Sequence, residues 1–450
     1  MTPEGKKVKN KIGFVSLGCP KNLTVTETMI GLLVPEYEIV TNPADADIII
    51  VNTCGFIESA KQESIETIIE MGQYKDGGGL KKLIVTGCLA ERYTEDILNE
   101  LPEVDAVVGT GSYFEIKKII DDTVLGERVT HKNDINIVAP ENLPRVISTG
   151  SASAYLAIAD GCNNHCSYCV IPSLRGKYRS RKMEDILAEA RSLAEKGYKE
   201  LIVIAQDTTM YGIDIYGKKK LAELVSELDK IDGVEWIRLH YCYPESVTDE
   251  LISVMANSKK VCKYIDIPFQ HASDDVLRRM GRRGREEDYR NLIEKLRMAM
   301  PDITIRSTFI TGFPGESAED FETLMKFVND TELDKIGVFA YSREEGTPAA
   351  EMEDQIDEEV KETRRDALMA LGQEISLEKN KSKIGKTIKV LAEEEIKRNI
   401  FAGRSEGDSP DVDGMVIFKS KNAKIGEFAF VTITKASEYD LEGTADEYCK

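Results

Sequence analysis

Three cysteines in one short stretch could bind iron. Cys162, Cys166 and Cys169 lie within Gly-Cys-Asn-Asn-His-Cys-Ser-Tyr-Cys-Val at 161–170. The spacing Cys-x3-Cys-x2-Cys supplies three thiolates, whereas a 4Fe–4S cluster has four cysteine positions, so one iron would keep an open coordination site. A zinc site or a ferredoxin-type electron carrier is the alternative, but zinc sites favour paired Cys-x2-Cys spacings with a fourth ligand close by. His165 is the only candidate near this loop, and its place inside the loop makes joint ligation awkward.

This cysteine pattern resembles that of the radical S-adenosylmethionine (SAM) enzymes. The resemblance implies a 4Fe–4S cluster on Cys162, Cys166 and Cys169 whose open iron chelates the amino and carboxylate groups of SAM. One electron then splits SAM into methionine and a 5′-deoxyadenosyl radical. In these enzymes an aromatic residue between the last two cysteines tends to contact the adenine, so Tyr168 is a candidate SAM contact. An ordinary packing tyrosine is the alternative.

Three further cysteines each follow a continuous apolar run in the N-terminal third. The runs 12–17, 47–51 and 82–86 precede Cys19, Cys54 and Cys88. These cysteines are 35 and 34 residues apart, about the length of a strand plus a crossover helix. Helical patterns fill the gaps at 26–33 and 59–71, and 106–109 fits a fourth strand. The pattern predicts a parallel α/β sheet that is covered on both faces.

The three N-terminal cysteines are predicted to lie at one edge of this sheet. Each follows the carboxyl end of a strand, which is the edge where open α/β sheets bind ligands. Three thiolates converging there could hold a second 4Fe–4S cluster. Three buried structural cysteines are the alternative, because free cysteine is commonly buried.

The segments around these cysteines resemble the N-terminal signatures of the methylthiotransferases, which are radical SAM enzymes that replace a C–H bond with C–S–CH3. The segments are 16–22 (SLGCPKN), 52–56 (NTCGF) and 86–89 (TGCL). The resemblance implies an auxiliary 4Fe–4S cluster on Cys19, Cys54 and Cys88 that takes part in sulfur delivery. It extends over nearly the whole chain and is weakest in the connecting segments.

The central region is predicted to form a partial barrel. Residues 136–153 are rich in turn-forming residues, which predicts a linker after an N-terminal domain of residues 1–135. Six strand patterns follow at 154–159, 200–205, 236–240, 264–267, 304–309 and 335–340, with helical patterns between most of them. Six units are too few for a closed eight-unit barrel. They fit the partial (β/α)6 barrel of the radical SAM enzymes, here assigned to residues 154–378.

Several residues at strand ends are candidates for the SAM pocket. Gln206 and Asp207 follow one strand, although Asp207 could equally be a helix cap. Residues 311–316 (TGFPGE) resemble the glycine-containing SAM-contact segment of the superfamily, which makes Gly312 and Glu316 candidate contacts. A plain turn is the alternative there.

Other conspicuous side chains receive no catalytic role, and no catalytic residue is assigned. His271 belongs to a stretch that resembles the family's QH…M-x-R segment and is expected to be a hydrogen-bonded structural histidine, with a proton donor as the alternative. In the same stretch Arg282, Arg283 and Arg285 are expected to contact substrate or solvent. Cys242, Cys262 and Cys449 have no partner spacing and are predicted not to bind metal.

The C-terminal region changes character to short strands separated by turns, which predicts a small all-β unit at 379–450. Residues 403–414 resemble part of the TRAM domain, a five-stranded barrel. Such modules usually contact nucleic acid, which requires a basic face. Residues 381–450 hold 12 basic and 13 acidic side chains, so the barrel is close to neutral. This balance favours a basic protein partner over RNA.

Two branches of the methylthiotransferases remain to be separated. One modifies adenosine in tRNA, and the other modifies an aspartate of the small-subunit ribosomal protein S-twelve. The form Cys-Pro-Lys-Asn at 19–22, the form IPSLRG at 171–176 and the neutral barrel resemble the second branch. The resemblance implies methylthiolation of the aspartate β-carbon, with SAM supplying both the radical and the methyl group. A tRNA adenosine methylthiotransferase is the alternative. Thr24–Glu27, Cys242 and Gly281 depart from the family pattern.

Composition sets the cellular expectations. The chain has 450 residues, a net charge of −20 and no apolar run near the roughly 20 residues of a membrane span. A cytoplasmic protein with reduced thiols is therefore expected, and its acidity suits a basic substrate. An external electron donor such as flavodoxin or ferredoxin is implied by the resemblance.

Overall fold

The computed structural model describes residues 9–126, 128–150 and 152–445. Contacts divide the chain into two compact units. The first extends to Ser148 and also takes in Asp160–Asn164 and Cys169–Arg179; the second comprises Thr149–Ala159, His165–Tyr168 and the chain from Ser180 onward. The cysteine-rich segment is therefore shared between the units, and the predicted domain bounds remain predictions.

The first unit is built on a six-stranded parallel sheet. Its strands are β1 (Lys11–Ser16), β2 (Glu38–Val40), β3 (Ile48–Thr53), β4 (Lys82–Gly87), β5 (Ala106–Val108) and β6 (Val129–His131), in the order β2-β1-β3-β4-β5-β6. The four predicted strands are confirmed. The sequence missed β2 and β6, because three-residue edge strands with polar positions carry no apolar run.

Helices cover both faces of this sheet. They are α1 (Pro20–Leu33), α2 (Glu58–Gly72), α3 (Cys88–Arg92), α4 (Thr94–Glu100) and α5 (Ile116–Leu125), and α6 (Ile171–Arg175) joins the same unit. Ile49 and Val51 of β3 belong to one core, and Ile48 and Ile50 belong to the core on the opposite face. A strand that is buried on both sides needs apolar side chains at every position, which explains the continuous runs in the sequence.

The predicted linker is fixed to α1 within the first unit. The buried carboxylate of Glu27 accepts hydrogen bonds from Arg145, at 2.8 Å from Nε, and from the backbone N–H of Ser148 at 2.6 Å. The carbonyl of Pro144 occupies the space that a Cβ on Gly31 would need. The turn-rich composition therefore marks an irregular but packed segment rather than a loose tether.

The second unit contains a six-stranded parallel sheet with two unpaired ends. Its strands are β7 (Ser153–Ala157), β10 (Glu200–Ile204), β11 (Trp236–Leu239), β12 (Val261–Asp266), β13 (Thr304–Thr311) and β14 (Lys335–Ala340), in the order β14-β13-β12-β11-β10-β7. The short strands β8 (Ala159–Asp160) and β9 (Arg179–Ser180) pair with each other. This confirms the partial (β/α)6 barrel.

The helices of this unit alternate with its strands. They are α7 (Met183–Glu195), α8 (Ile213–Tyr216), α9 (Leu221–Leu228), α10 (Asp249–Asn257), α11 (Asp274–Arg279), α12 (Glu286–Ala299), α13 (Ala318–Thr331) and α14 (Glu358–Lys381). Across the described part of the chain, no helix is both long and apolar enough to cross a membrane.

A closed five-stranded barrel forms the C-terminal end of the described chain, as predicted. Its strands are β15 (Thr387–Lys397), β16 (Ile400–Ser405), β17 (Val416–Lys419), β18 (Phe428–Ala436) and β19 (Leu441–Ala445), in the order β15-β16-β17-β19-β18. Cys449 lies outside the described residues.

Residues 404–413, here called the plug segment, connect the small barrel to all six strands of the large sheet. The contacts are Asp411 with Tyr155, Arg404 with Glu200, the Glu406 carbonyl with Arg238, Asp413 with Tyr264 and Arg306, and Asp408 with Lys335. Glu200 and Lys335 are the first residues of their strands and Arg306 is the third of eight, whereas Ser409 of the plug segment also meets His240, which directly follows β11. Barrels of this kind build their chemistry at the carboxyl ends of the strands, and the ion pairs with Glu200 and Lys335 lie at the opposite, amino-terminal ends.

The most buried contact of the plug segment is an ion-pair network around Glu200, which is 0% exposed. Arg238 Nε lies 2.8 Å from the Glu200 carboxylate, Ser153 Oγ donates to it at 2.8 Å, and Arg404 pairs with it from the small barrel. Although burial alone would raise the pKa of Glu200, Arg404 and Arg238 hold it well below its usual range. The carboxylate is therefore charged, and its stability depends on both arginines.

Candidate metal centres

The three N-terminal cysteines lie at the carboxyl ends of adjacent strands, as predicted. Cys19 follows β1 and precedes the first residue of α1, Cys54 directly follows β3, and Cys88 follows β4 and begins α3. Because β1, β3 and β4 are neighbours in the sheet, their three loops lie side by side. The parallel topology thus brings together thiols that are separated by more than 30 residues in sequence.

Glycines let these loops approach closely. A Cβ on Gly18, which has φ +83°, would stand 2.7 Å from Cys54 Cβ and 3.0 Å from its Sγ. A Cβ on Gly55 would stand 2.8 Å from the backbone nitrogen of Leu89. Gly87, at φ +95°, would place a Cβ 2.5 Å from the Thr53 carbonyl. Each cysteine is therefore next to a glycine, whose lack of a side chain leaves room for the neighbouring loop.

This donor set fits a cubane cluster rather than a single ion. Among the described residues, no three Cys, His, Asp or Glu side chains converge where one metal ion could bind. In a 4Fe–4S cluster each cysteine ligates a different iron, so its sulfurs stand farther apart than the ligands of one metal ion. Three thiols at a glycine-lined edge would suit that cluster and leave one iron without a cysteine.

The electrostatic environments of the three thiols differ. Burial raises the pKa of Cys54 to about 11 and also raises the pKa of Cys88. Burial acts in the same direction on Cys19, but the positive charges of Lys21 and Arg175 outweigh it and lower the pKa of that thiol. Because the thiolate is the form that binds metal, cationic side chains at this site favour ligation.

Arg175 is the site residue that sequence reasoning missed. It ends α6, is 5% exposed and hydrogen-bonds to the side chain of Asn22, while its neighbour Leu174 packs against Cys88. In the sequence it was visible only as one residue of the segment IPSLRG at 171–176, and no spacing rule connects it with cysteines that precede it by 87 residues or more. The available signal was the position of this arginine, six residues after the last cysteine of the cluster loop.

The backbone holds part of the central cysteine loop in the first unit. The backbone N–H of Cys162 donates to the Gly176 carbonyl at 3.1 Å, and the Cys162 sulfur accepts from Asn164 at 3.4 Å. Asn163 Oδ1 accepts from the backbone N–H of Tyr178 at 3.0 Å. These bonds fix the start of the loop to the turn that follows α6.

The second unit holds Cys166 through the predicted M-x-R stretch. Cys166 Sγ lies 3.9 Å from the hydroxyl of Tyr243, and the guanidinium of Arg282 lies 3.8 Å from the centre of the Tyr243 ring. Gly281 has φ +73°, and a Cβ at this position would stand 2.5 Å from the carbonyl of His165. This close approach explains why glycine replaces the residue that is usual in the family. Arg282 is 6% exposed and donates to a backbone carbonyl, so the expected contact with solvent is wrong, and its contact with substrate stays a prediction.

The candidate SAM contacts have mixed surroundings. Tyr168 is half-buried against an apolar cluster that includes Met280 and Phe313. Gln206 lies two residues beyond the end of β10 and is also half-buried. Asp207 caps a short helical turn by accepting the backbone N–H of Thr209 at 3.1 Å, which confirms the capping alternative. The SAM roles of Tyr168 and Gln206 stay predictions.

The segment that carries Gly312 and Glu316 is tied to α14. Gly312 has φ +68°, and the side chain of Lys361 fills the space beside it. The buried carboxylate of Glu316 lies 2.7 Å from Arg364 Nη1 and 3.2 Å from the backbone nitrogen of Phe313. These contacts show what the glycine and the carboxylate do within the protein, and their roles toward SAM stay predictions.

His271 and two cysteines behave as expected. His271 is fully buried, and its Nδ1 accepts from the backbone N–H of Ser273 at 2.9 Å, which fits a structural histidine. Cys242 and Cys262 are almost completely buried, and burial raises the pKa of each to about 12. Neither thiol is suited to metal binding.

Three domain families match successive parts of the chain. Residues 11–109 match the family described as Uncharacterized protein family UPF0004, residues 156–328 match the Radical SAM superfamily, and residues 384–445 match the TRAM domain. The matches follow the order of the N-terminal sheet, the partial barrel and the C-terminal barrel.

Curated relatives match along nearly the whole chain. A protein from Clostridioides difficile is 54% identical over 96% of this chain and 98% of its own, and one from Lachnoclostridium phytofermentans is 52% identical over 97% of this chain and 100% of its own. Both are named ribosomal protein uS12 methylthiotransferase RimO.

Solved structures share the fold at low sequence identity. The radical SAM methyltransferase TsrM from Kitasatospora setae, solved with cobalamin and a 4Fe–4S cluster, has a TM-score of 0.56 at 17% identity and covers 76% of this chain and 77% of its own. The cobalamin-dependent radical SAM enzyme OxsB has a TM-score of 0.51 at 13% identity and covers 83% of this chain and 59% of its own. These likenesses concern the fold alone.

Proposed function

Because the chain belongs to the RimO family of ribosomal protein uS12 methylthiotransferases, we propose that it methylthiolates the β-carbon of an aspartate in ribosomal protein uS12. As a member of this family it is a radical SAM transferase that uses 4Fe–4S chemistry and SAM. The observation that carries the proposal is the identity of more than 50% over nearly the full length, together with two separate cysteine triads.

Cys162, Cys166 and Cys169 would hold the radical-generating cluster. A cluster held there, with SAM bound, would supply the one-electron chemistry needed to remove hydrogen from the substrate. The chain's own groups prepare this loop: backbone bonds fix Cys162, and the Tyr243 hydroxyl stands beside the Cys166 sulfur. Tyr168, Gln206, Gly312 and Glu316 are proposed to line the SAM pocket.

Cys19, Cys54 and Cys88 would hold the auxiliary cluster that takes part in delivering sulfur. The glycines at 18, 55 and 87 let three strand ends approach closely enough to present the thiols together. A second SAM supplies the methyl group, so that a C–H bond of the aspartate is replaced by C–S–CH3.

The partners follow from the substrate. A net charge of −20 suits a basic ribosomal protein, and a ribosomal substrate implies that the enzyme works in the cytoplasm. Flavodoxin or ferredoxin is proposed as the electron donor. The C-terminal barrel, which is close to neutral, is a poor polyanion-binding surface, so tRNA adenosine is the less favoured substrate.

An anaerobic assay of SAM cleavage and product formation tests this division of labour. Cys162→Ala should abolish release of 5′-deoxyadenosine, whereas Cys54→Ala should preserve release and abolish methylthio transfer. Cys242→Ala is the matched control, because Cys242 is a buried thiol outside both triads. Product formation by Cys54→Ala would exclude an essential auxiliary cluster.

Mass spectrometry identifies the substrate. Isolated uS12, intact small ribosomal subunits and digested tRNA are compared with and without the enzyme. A mass increase corresponding to replacement of H by SCH3 on an aspartate of uS12 is expected. The same increase on tRNA adenosine, with none on uS12, would assign the enzyme to the other branch.

A further inference from the structure

Arg175 is held rigidly beside the N-terminal cysteines by packing in the first unit. The carbonyl of its neighbour Leu174 accepts the hydroxyl of Thr110 at 2.7 Å. Leu174, which is 1% exposed, packs with Val170 against Cys88. The helix α6 therefore ends at a defined place next to the Cys88 thiol.

Asn22 orients the guanidinium of Arg175. The amide of Asn22 is completely buried, and its Nδ2 donates to the carbonyls of Leu17 at 3.1 Å and Thr53 at 2.9 Å. These two bonds fix which side of the amide faces Arg175: Oδ1 accepts from the guanidinium and lies 3.9 Å from Cys88 Sγ. Leu17 and Thr53 lie next to two of the three cysteine loops, so the same framework places the thiols and the cation.

The charge of Arg175 has a defined electrostatic role. The guanidinium is nearly inaccessible to solvent, and it contacts Asn22 Oδ1, an atom that lies 3.9 Å from the Cys88 sulfur. Its positive charge favours the thiolate forms of Cys88 and Cys19. A buried site with three thiolate ligands accumulates negative charge, which a fixed cation offsets strongly in a low dielectric. Net charge and hydrogen bonds to the sulfurs are also what set the reduction potential of an iron–sulfur cluster.

We propose that Arg175 is the positioning residue that raises the reduction potential of the cluster on Cys19, Cys54 and Cys88, by neutralising ligand charge and donating a hydrogen bond to the Cys88 sulfur. This proposal rests on the proposed auxiliary cluster. It adds a function for α6: this helix, which follows the central cysteine loop in sequence, supplies a buried cation to the N-terminal site.

The test uses full-length protein in which Cys162, Cys166 and Cys169 are all replaced by alanine, so that only the N-terminal cluster forms. Arg175→Lys keeps the charge, Arg175→Gln keeps N–H donors without charge, and Arg175→Met removes both. After anaerobic reconstitution, iron content is measured and the midpoint potential is determined by titration followed by electron paramagnetic resonance. Lys117→Gln is the matched control, because it removes one positive charge from an exposed position of the same domain.

The proposal orders the potentials of the variants. Arg175→Gln and Arg175→Met should shift the midpoint to more negative values, Arg175→Met most, whereas Arg175→Lys should shift it least and Lys117→Gln should leave it unchanged. Loss of iron from Arg175→Met with retention in Arg175→Lys also supports the role of charge. Equal potentials in all loaded variants, or loss of iron from Arg175→Lys with retention in Arg175→Gln, would overturn it.

Failure of the proposed function gives a different result. In that case the parent with intact Arg175 would bind no cluster at its N-terminal cysteines. Unchanged potentials in a loaded protein would refute only the role of Arg175.

Discussion

Replacing Arg404 by methionine is expected to weaken the attachment of the C-terminal barrel to the large sheet. Arg404 is 4% exposed, and it contacts Glu200, Ser153 at 3.0 Å and the Asp408 carbonyl at 3.1 Å. Methionine keeps much of the side-chain volume and removes the charge and all donors. Glu200 would then keep one arginine partner, Arg238, and the hydroxyl of Ser153.

The magnitude follows from the burial of the pair. Removing one partner of a buried ion pair costs about 3–5 kcal/mol, because the remaining charge is left poorly compensated. Arg238 still compensates part of the Glu200 charge, so the lower end of that range, about 3 kcal/mol, is expected. The additional contact of Arg404 with Glu393, which is exposed, adds little.

The single tryptophan of the chain reports directly on this attachment. Trp236 begins β11, and its ring lies 4.7 Å from that of Phe428 in the small barrel, centre to centre. Urea unfolding of the anaerobically reconstituted protein, followed by Trp236 fluorescence, gives the free energy of unfolding of this region. Arg398→Met is the control, because Arg398 is exposed on the same barrel.

Two results would refute the reasoning. One is a free energy of unfolding for Arg404→Met that lies within about 0.5 kcal/mol of the value for the Arg398→Met control, because surface substitutions typically change stability by no more than that. The other is strict additivity of Arg404→Met and Glu200→Gln in a double-mutant cycle, because residues in one ion-pair network should couple.

Two further predictions concern acid stability and cluster loading. Burial alone would raise the pKa of Asp408, but Lys335 and Lys383 lower it to about 2. As pH falls from 4 towards 2 the folded protein must therefore protonate this carboxylate, and wild type should lose about 2 kcal/mol of unfolding free energy relative to Asp408→Asn. Urea unfolding at each pH measures this difference. A difference in unfolding free energy between the two proteins that stays constant across this pH range would contradict the assignment. Gly87→Ala should reduce the iron bound by the protein in which Cys162, Cys166 and Cys169 are replaced by alanine, because a Cβ would meet Thr53. Gly78→Ala, at φ +77° with open space around it, should bind iron as the parent does.

The features of the N-terminal sheet that the sequence predicted correctly share one physical basis. Strands buried on both faces require unbroken apolar runs, and three of these runs end just before a cysteine. The regular spacing of these runs, and the position of each cysteine just after one of them, were therefore enough to place Cys19, Cys54 and Cys88 at one edge of the N-terminal sheet. The two three-residue strands β2 and β6 gave no such signal.

The features that the sequence could not predict depend on contacts between distant residues. Arg175 acquires its meaning from Asn22, 153 positions earlier, and the Glu316 carboxylate is compensated by Arg364 of α14, 48 positions later. Neither pair has a characteristic spacing. Gly281 was visible only as a departure from the family pattern until the neighbouring His165 carbonyl supplied the reason.

The plug segment also constrains the order in which the protein can fold during synthesis. The N-terminal sheet can form early, because its six strands are complete by His131. The large sheet cannot be completed early, since polar residues of its six strands find part of their partners in residues 404–413. Nine-tenths of the polypeptide must therefore leave the ribosome before the middle of the molecule is complete, and a truncated product would be left with unpaired charges inside an unfinished core.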